Sequence, residues 1–163
     1  MNVIGLGQAG CNIADMFSQH PQYKIYKIDV DIKNDFDFAE QYGELEQTKK
    51  TYNIKQQKGP EEYEKNVPSM KTFFRGVKGE TLFVIGGSGS ISAMCLRIME
   101  QIKDKCEISV LYIRPDTSLL SKNKTLHESA TYGILQQYAR SGLLKVLYLV
   151  SNINLENILG EVP

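Results

Sequence analysis

Short apolar runs separated by longer mixed segments set the pattern of this chain. Residues 1–6 form an apolar run carrying glycine at its end and predict a strand. Residues 9–18 follow with Ile13, Met16 and Phe17 at helical spacing. Over 23–30 the pattern alternates, with Tyr23, Ile25 and Lys27 on one face and Tyr26 and Ile28 on the other, the period of a strand. A compact apolar run between glycines, 81–85, predicts another strand. Residues 90–103 carry Ile91, Met94, Cys95, Ile98 and Ile102, a helical stripe. A strand over 108–113 is closed by Pro115, a long helix over 125–140 is stopped by Gly142, and a last strand covers 144–150.

Strands that alternate with helices imply a parallel sheet covered on both faces. Right-handed crossovers then give a doubly wound, mostly parallel, Rossmann-like α/β domain, expected to span residues 1–163 as one nucleotide-binding unit. The interruption is the polar stretch 43–68, whose aliphatic residues are Leu45, Ile54 and Val67. It is expected to be a long surface excursion that adds little core, with a helix resuming over 61–74.

Composition narrows the function classes. Nineteen basic and 19 acidic residues cancel, so no basic footprint for general nucleic-acid binding is present. Hydrophobic residues at 42% and charged residues at 23% describe a globular domain rather than a disordered one. No apolar run approaches the roughly 20 residues of a membrane helix, and no basic segment precedes the first apolar run as in a signal peptide. Three scattered cysteines, Cys11, Cys95 and Cys106, suit neither a disulfide framework nor a zinc site. A reducing, cytoplasmic compartment is the expectation.

Chemistry concentrates in two glycine loops. The first is Gly5-Leu-Gly7-Gln-Ala-Gly10, between the first strand and the first helix. Glycines there let backbone N–H groups approach a phosphate, and the helix dipole adds roughly half a positive charge. The pattern is G-x-G-x-x-G, and Asp29 follows at the end of the second strand, where a dinucleotide fold places its ribose-binding acid. The bland alternative is a tight turn without ligand. The second loop, Ile85-Gly86-Gly87-Ser88-Gly89-Ser90-Ile91-Ser92, again joins a strand to a helix. Its glycines and hydroxyls describe a second anion cradle, without the lysine of a Walker loop. Two cradles on neighbouring parallel strands predict a nucleotide with several phosphates at the carboxyl edge of the sheet.

Gly7-Gln8-Ala9-Gly10-Cys11-Asn12 closely resembles the first nucleotide loop of the tubulin/FtsZ family. The second loop resembles that family's G-G-G-T-G-S-G signature: Gly86, Gly87, Gly89 and Ser90 match, while Ile85, Ser88 and Ile91 replace a glycine, the threonine and the last glycine. Lys58-Gly59-Pro60-Glu61, Arg114-Pro115 and Ser151-Asn152-Ile153-Asn154 resemble further loops of the family, in order along the chain. The resemblance implies a GTP- or GDP-binding domain, with magnesium as companion ion, from a cytoskeletal protein whose head-to-tail contacts build filaments. It implies that Gln8, Ala9, Gly10 and Cys11, with Gly7, hold the diphosphate. It places Gly86, Gly87, Ser88, Gly89 and Ser90 around the outer phosphates, Lys58 and Gly59 near the terminal one, and Asp116 or Thr117 near the ribose. The family continues into a central helix and an acidic activation loop, both expected beyond Pro163, so no catalytic residue is assigned within the chain and GTPase activity would need acids from elsewhere. Ile91 puts a branched side chain where the family has glycine, a costly exchange if the backbone there has positive φ.

Two other readings stay open: an NAD-binding Rossmann domain resting on Gly5, Gly7, Gly10 and Asp29, and a tubulin-like structural module that has lost nucleotide hydrolysis. Several residues carry simpler expectations. Cys11 is expected to be a packing residue rather than a reactive thiolate, and His20 and His127 to serve at surfaces or helix ends. Asp15 is expected to face water, and Glu61, Glu62 and Glu64 to form a solvated helix start. Lys49 and Lys50 are expected to lie in a solvated loop.

Overall fold

The computed structural model describes residues 1–30 and 49–151. Six strands form one all-parallel sheet: β1 (Asn2–Leu6), β2 (Lys24–Asp29), β3 (Lys49–Asn53), β4 (Gly79–Gly86), β5 (Cys106–Arg114) and β6 (Leu144–Ser151). The spatial order is β3-β2-β1-β4-β5-β6. The chain steps outward from β1 to β3, then returns to the middle and steps outward the other way from β4. The reversal between β1 and β4 is a topological switch point, where the loops leaving adjacent strands diverge and open a crevice.

Helix α1 (Gly7–Phe17) covers one face, packing Ala14 with Val3, Ile25, Leu82 and Val84. The opposite face carries the larger core: Ile4, Leu6, Tyr26, Ile28, Phe83, Ile85, Val110 and Tyr112 from the strands, with Ile98, Ile102 and Leu135 from helices. Those helices are α2 (Pro60–Lys65), α3 (Cys95–Ile102), preceded by a 3-10 turn over Ser90–Met94, and α4 (Lys122–Ser141). The central strands of a parallel sheet are covered on both faces and are apolar on both sides, and β4 shows this directly, since Leu82 and Val84 go to one core and Phe83 and Ile85 to the other. The alternation of Ile25 against Tyr26 and Ile28 follows the sequence pattern. Gly142, in the left-handed region at φ +84°, ends α4 where the pattern places the stop. No helix among the described residues is long and apolar enough to cross a membrane.

The stretch 43–68 departs from expectation. It supplies strand β3, which pairs with β2 from Lys49 to Asn53, and it buries Ile54 and Tyr63 in the main core. Thr51, Tyr52 and the charged Lys50 disguise this strand, because an edge strand needs few apolar residues. Its first part, with Leu45, lies outside the described residues. The helix expected over 61–74 is only Pro60–Lys65; turns then carry Met70, Phe74 and Val77 into the core. Pro68 accounts for this break, since the residue before proline avoids helical backbone. Asp15 keeps its side chain partly exposed to solvent, and its carboxylate also pairs with the buried Lys27 ammonium at 3.2 Å. The segment after β6, including Asn152, Ile153 and Asn154, lies outside the described residues.

Candidate functional site

The site begins with the way α1 meets the sheet. Gly5 sits inside β1, and a Cβ there would stand 2.5 Å from the Gly10 carbonyl oxygen and 2.8 Å from Cys11 Cα. A Cβ at Gly10 would stand 2.3 Å from the Val84 carbonyl oxygen. These two glycines let helix α1 lie directly on β1 and β4. Gly7 has the other role: it turns the chain from strand to helix at φ +78°, a conformation that favours glycine. Leu6 before it is still extended, no side chain caps the helix, and no acid stands in its first turn. The amino-terminal N–H groups and the positive end of the dipole therefore face the crevice without a built-in anion.

The second loop leaves β4 beside the first. A Cβ at Gly86 would lie 2.9 Å from Ala9 Cβ, so the two loops touch there. The Gly87 amide donates to the Ile113 carbonyl at 2.9 Å, and the Ser92 hydroxyl donates to the Gly86 carbonyl, which closes the loop onto the 3-10 turn. That turn also lacks a side-chain cap and an acid in its first turn. Between the loops lies an open cleft of about 260 Å³, bordered by Leu6, Gly7, Gln8, Ala9, Asn12, Gly86, Ser88, Gly89 and Ser92. Its lining mixes the apolar Leu6 and Ala9 with glycines, the amide residues Gln8 and Asn12, and the serines Ser88 and Ser92.

The sequence-derived residues separate into three groups on this geometry. Gly7, Gln8, Ala9, Gly86, Ser88 and Gly89 border the cleft itself. Gly10 and Cys11 lie beneath it. The Cys11 Sγ lies 3.5 Å from both the Gly5 and the Ile28 carbonyl oxygens, either of which can accept its one hydrogen. Gly87 and Ser90 border a smaller adjoining cavity. Lys58, Gly59, Asp116 and Thr117 border neither space. Gly59 starts α2 in extended backbone, and the Lys58 amide donates to Glu62 Oε2 at 3.3 Å. Asp116 caps its own turn, accepting from the Ser118 amide and hydroxyl at 3.0 and 2.6 Å, and these bonds, the hydroxyl first, hold its carboxyl below its ordinary pKa.

Ile91 resolves differently from its expectation. It lies within the 3-10 turn, in right-handed helical backbone, so its branched side chain carries no left-handed penalty. It is buried, and its Cγ2 lies 3.1 Å from where a Gly7 Cβ would stand. The methyl of the second loop thus occupies the side of the first turn where a Gly7 side chain would stand.

Asn12 and Ser92 border the cleft but do not stand out in the sequence as ligands. Asn12 was signalled by its place one helical turn after Gln8. The adjoining cavity adds Tyr112, Lys124, His127, Glu128 and Thr131. His127 lies 3.6 Å from Glu61 Oε1, a helix-surface position in keeping with its expected role. Glu128 is 3% exposed and had one signal, an acid at the core-facing position seven residues before Leu135.

Cys11 and Cys95 are packing residues. Burial pushes the Cys11 thiol up to about 12, with the Asp29 charge adding to the rise, and burial pushes Cys95 to about 12 as well. Thiolate is the reactive form. Iodoacetamide near pH 8 is therefore expected to leave both unmodified in the native protein, with Cys106, which is half-buried, alkylated first. Peptide mass mapping of native and unfolded samples checks this; prompt labelling of Cys11 would contradict it.

No family model matches the chain, and no curated protein matches it by sequence. Among solved structures the chain is similar to the crystal structure of a short-chain dehydrogenase/reductase from Burkholderia vietnamiensis. The TM-score is 0.53 at 12% identity, over 92% of this chain and 82% of that one. At this identity the similarity establishes the Rossmann-like α/β architecture.

Proposed function

We propose that the chain is a nucleotide-binding domain that holds the phosphates of GTP or GDP between its two glycine loops. One observation carries the reading: two loops from adjacent strands, each ending at an uncapped helical start free of acids, border a single cleft at the switch point. A dinucleotide needs the first loop for its pyrophosphate; a second cradle of glycines and serines beside it suits a longer phosphate chain. The resemblance of both loops to the tubulin/FtsZ family supports guanine as the base and head-to-tail filaments as the assembly. Gly7, Gln8, Ala9 and Asn12 face the inner phosphates in this reading, and Ser88 and Gly89 the outer ones. Magnesium would accompany the phosphates and spread their charge. Hydrolysis would require acidic residues supplied from outside the described cleft.

A second reading has its own support. The dehydrogenase fold, the G-x-G-x-x-G spacing and Asp29 at the carboxyl end of β2 favour NAD(P). Asp29 already uses Oδ1 to accept from the Val30 amide at 2.7 Å, the geometry of a strand-end cap.

Calorimetric titration with GTP, GDP, NAD and NADP separates the two. Micromolar guanine-nucleotide affinity without dinucleotide binding is the expected result. NAD or NADP binding without GTP binding would overturn the first reading in favour of the second. No affinity for any of them at millimolar concentration would leave a structural module.

A further inference from the structure

Gly87 is the point where the second loop rests on β5. Its amide donates to the Ile113 carbonyl at 2.9 Å. It is not among the glycines with positive φ, so the backbone does not demand glycine there. Space does. The nearest atom to a Cβ at Gly87 would be the Tyr112 hydroxyl oxygen, closer than Cβ atoms approach in proteins, with Tyr112 Cζ and Pro115 Cδ both at 2.9 Å. Gly5 and Gly10 press on main-chain atoms instead. Among the described glycines, only Gly87 would bring a Cβ within 3 Å of a polar side-chain atom.

That hydroxyl is itself fixed. Tyr112 is fully buried, and it donates to Glu128 Oε1 at 3.1 Å. The same carboxylate oxygen accepts from Arg114 Nε at 3.2 Å, and the Arg114 guanidinium lies 4.1 Å from the centre of the Tyr132 ring. Burial, and after it the Glu128 charge, pushes the Tyr112 phenol well above its ordinary pKa, so the oxygen keeps its hydrogen. A phenol has one hydrogen to give, and here a buried charged acceptor takes it. The ring cannot tilt away from the loop without losing that charge-assisted bond.

The neighbours of Gly87 in the chain are Gly86 and Ser88, and both border the open cleft. The height of Gly87 above β5 therefore sets how those two residues meet the cleft. We infer that Tyr112, anchored by Glu128, is a positioning residue for the second glycine loop, its hydroxyl forming the seat on which Gly87 rests. Tyr112 borders the adjoining cavity and not the cleft, so it acts on a ligand only through Gly86 and Ser88. The ligand part of this inference rests on the phosphate-binding reading above; the seat itself does not.

Substitutions in the whole chain test both parts. Tyr112→Phe removes the oxygen and the tie to Glu128, while the ring stays and Glu128 keeps Arg114. Hydrogen exchange of the Gly87 amide is expected to be about tenfold faster in this variant, with the amides of β1 unchanged. Gly87→Ala is expected to lower the urea midpoint, and to lower it by less than half as much in the Tyr112→Phe background, because the freed ring can tilt from the added methyl. Unchanged Gly87 exchange in Tyr112→Phe would overturn the seat even if Gly87→Ala does not fold, and additive midpoint losses would overturn it as well. Calorimetry with inorganic tripolyphosphate is expected to show affinity about tenfold weaker in Tyr112→Phe but within about threefold of the parent in Glu128→Gln, whose amide oxygen still accepts from Tyr112. Full affinity in Tyr112→Phe would overturn the link to the ligand. An equal loss in Glu128→Gln would trace the effect to the missing charge and overturn the role given to the Tyr112 hydrogen bond. The expected exchange and midpoint results in a protein that binds no tripolyphosphate would uphold the seat and overturn the nucleotide reading.

Discussion

Gly10→Ala is expected to destabilise the domain by about 3 kcal/mol, lowering its melting temperature by about 10 °C or preventing folding. The cause is a backbone collision. The added Cβ would meet the Val84 carbonyl oxygen at 2.3 Å, and neither partner is a side-chain end that can swing away. Relief requires α1 to lift from β4, which opens the core that Ala14 shares with Val3, Ile25, Leu82 and Val84. Gly133→Ala is the control: a Cβ at Gly133 meets nothing within 4 Å, and the position is inside α4. There alanine should be neutral or stabilising by up to about 1 kcal/mol, through helix propensity. Urea denaturation of both variants checks the pair. A Gly10→Ala protein as stable as its parent would show that α1 does not seat on β4 as described.

Gly89→Asp is expected to leave the melting temperature unchanged and to weaken phosphate-ligand binding about a hundredfold, the effect of a like charge placed against the anion. Gly89 is exposed, its nearest non-neighbour atoms to a Cβ are 3.8 Å away, and it borders the cleft. The aspartate therefore costs little in packing while adding negative charge to the cradle. Gly87→Val would be a poorer probe, because its Cβ would press on the Tyr112 hydroxyl at 2.4 Å and on Pro115 at 2.9 Å. Loss of binding there would report a displaced loop. Calorimetry with GTP and tripolyphosphate, alongside thermal unfolding, tests the substitution. Undiminished affinity in Gly89→Asp would remove the second loop from the site.

Much of this arrangement was legible in the chain. Strand and helix periods located β1, β2, β4, β5, β6 and the two long helices, because buried strands and amphipathic helices announce themselves by where their apolar residues fall. Strand β3 did not, since Lys50, Thr51 and Tyr52 at a sheet edge have no need of a continuous apolar run. The two glycine loops were visible as motifs, and their convergence followed from the strand order. The division of labour among the glycines was hidden. Gly5, Gly7 and Gly10 look equivalent in the string, yet two serve helix packing and one turns the backbone. Lys58, Gly59, Asp116 and Thr117, taken from family resemblance, border neither the cleft nor the adjoining cavity. Glu128 carried only its core-facing position as a signal, because its partners Tyr112 and Arg114 stand on a different element.

The seating of α1 on Gly5 and Gly10 also bears on how such chains would diverge. Selection for folding alone would hold these two glycines, because any side chain there strikes main-chain atoms whether or not a nucleotide is bound. Gly89 is under no such compulsion. A descendant that gave up its ligand would keep the first motif nearly whole and let position 89 drift toward larger or acidic residues. Gly5 and Gly10 thus report the architecture, and position 89 is the more sensitive record of whether a ligand is held.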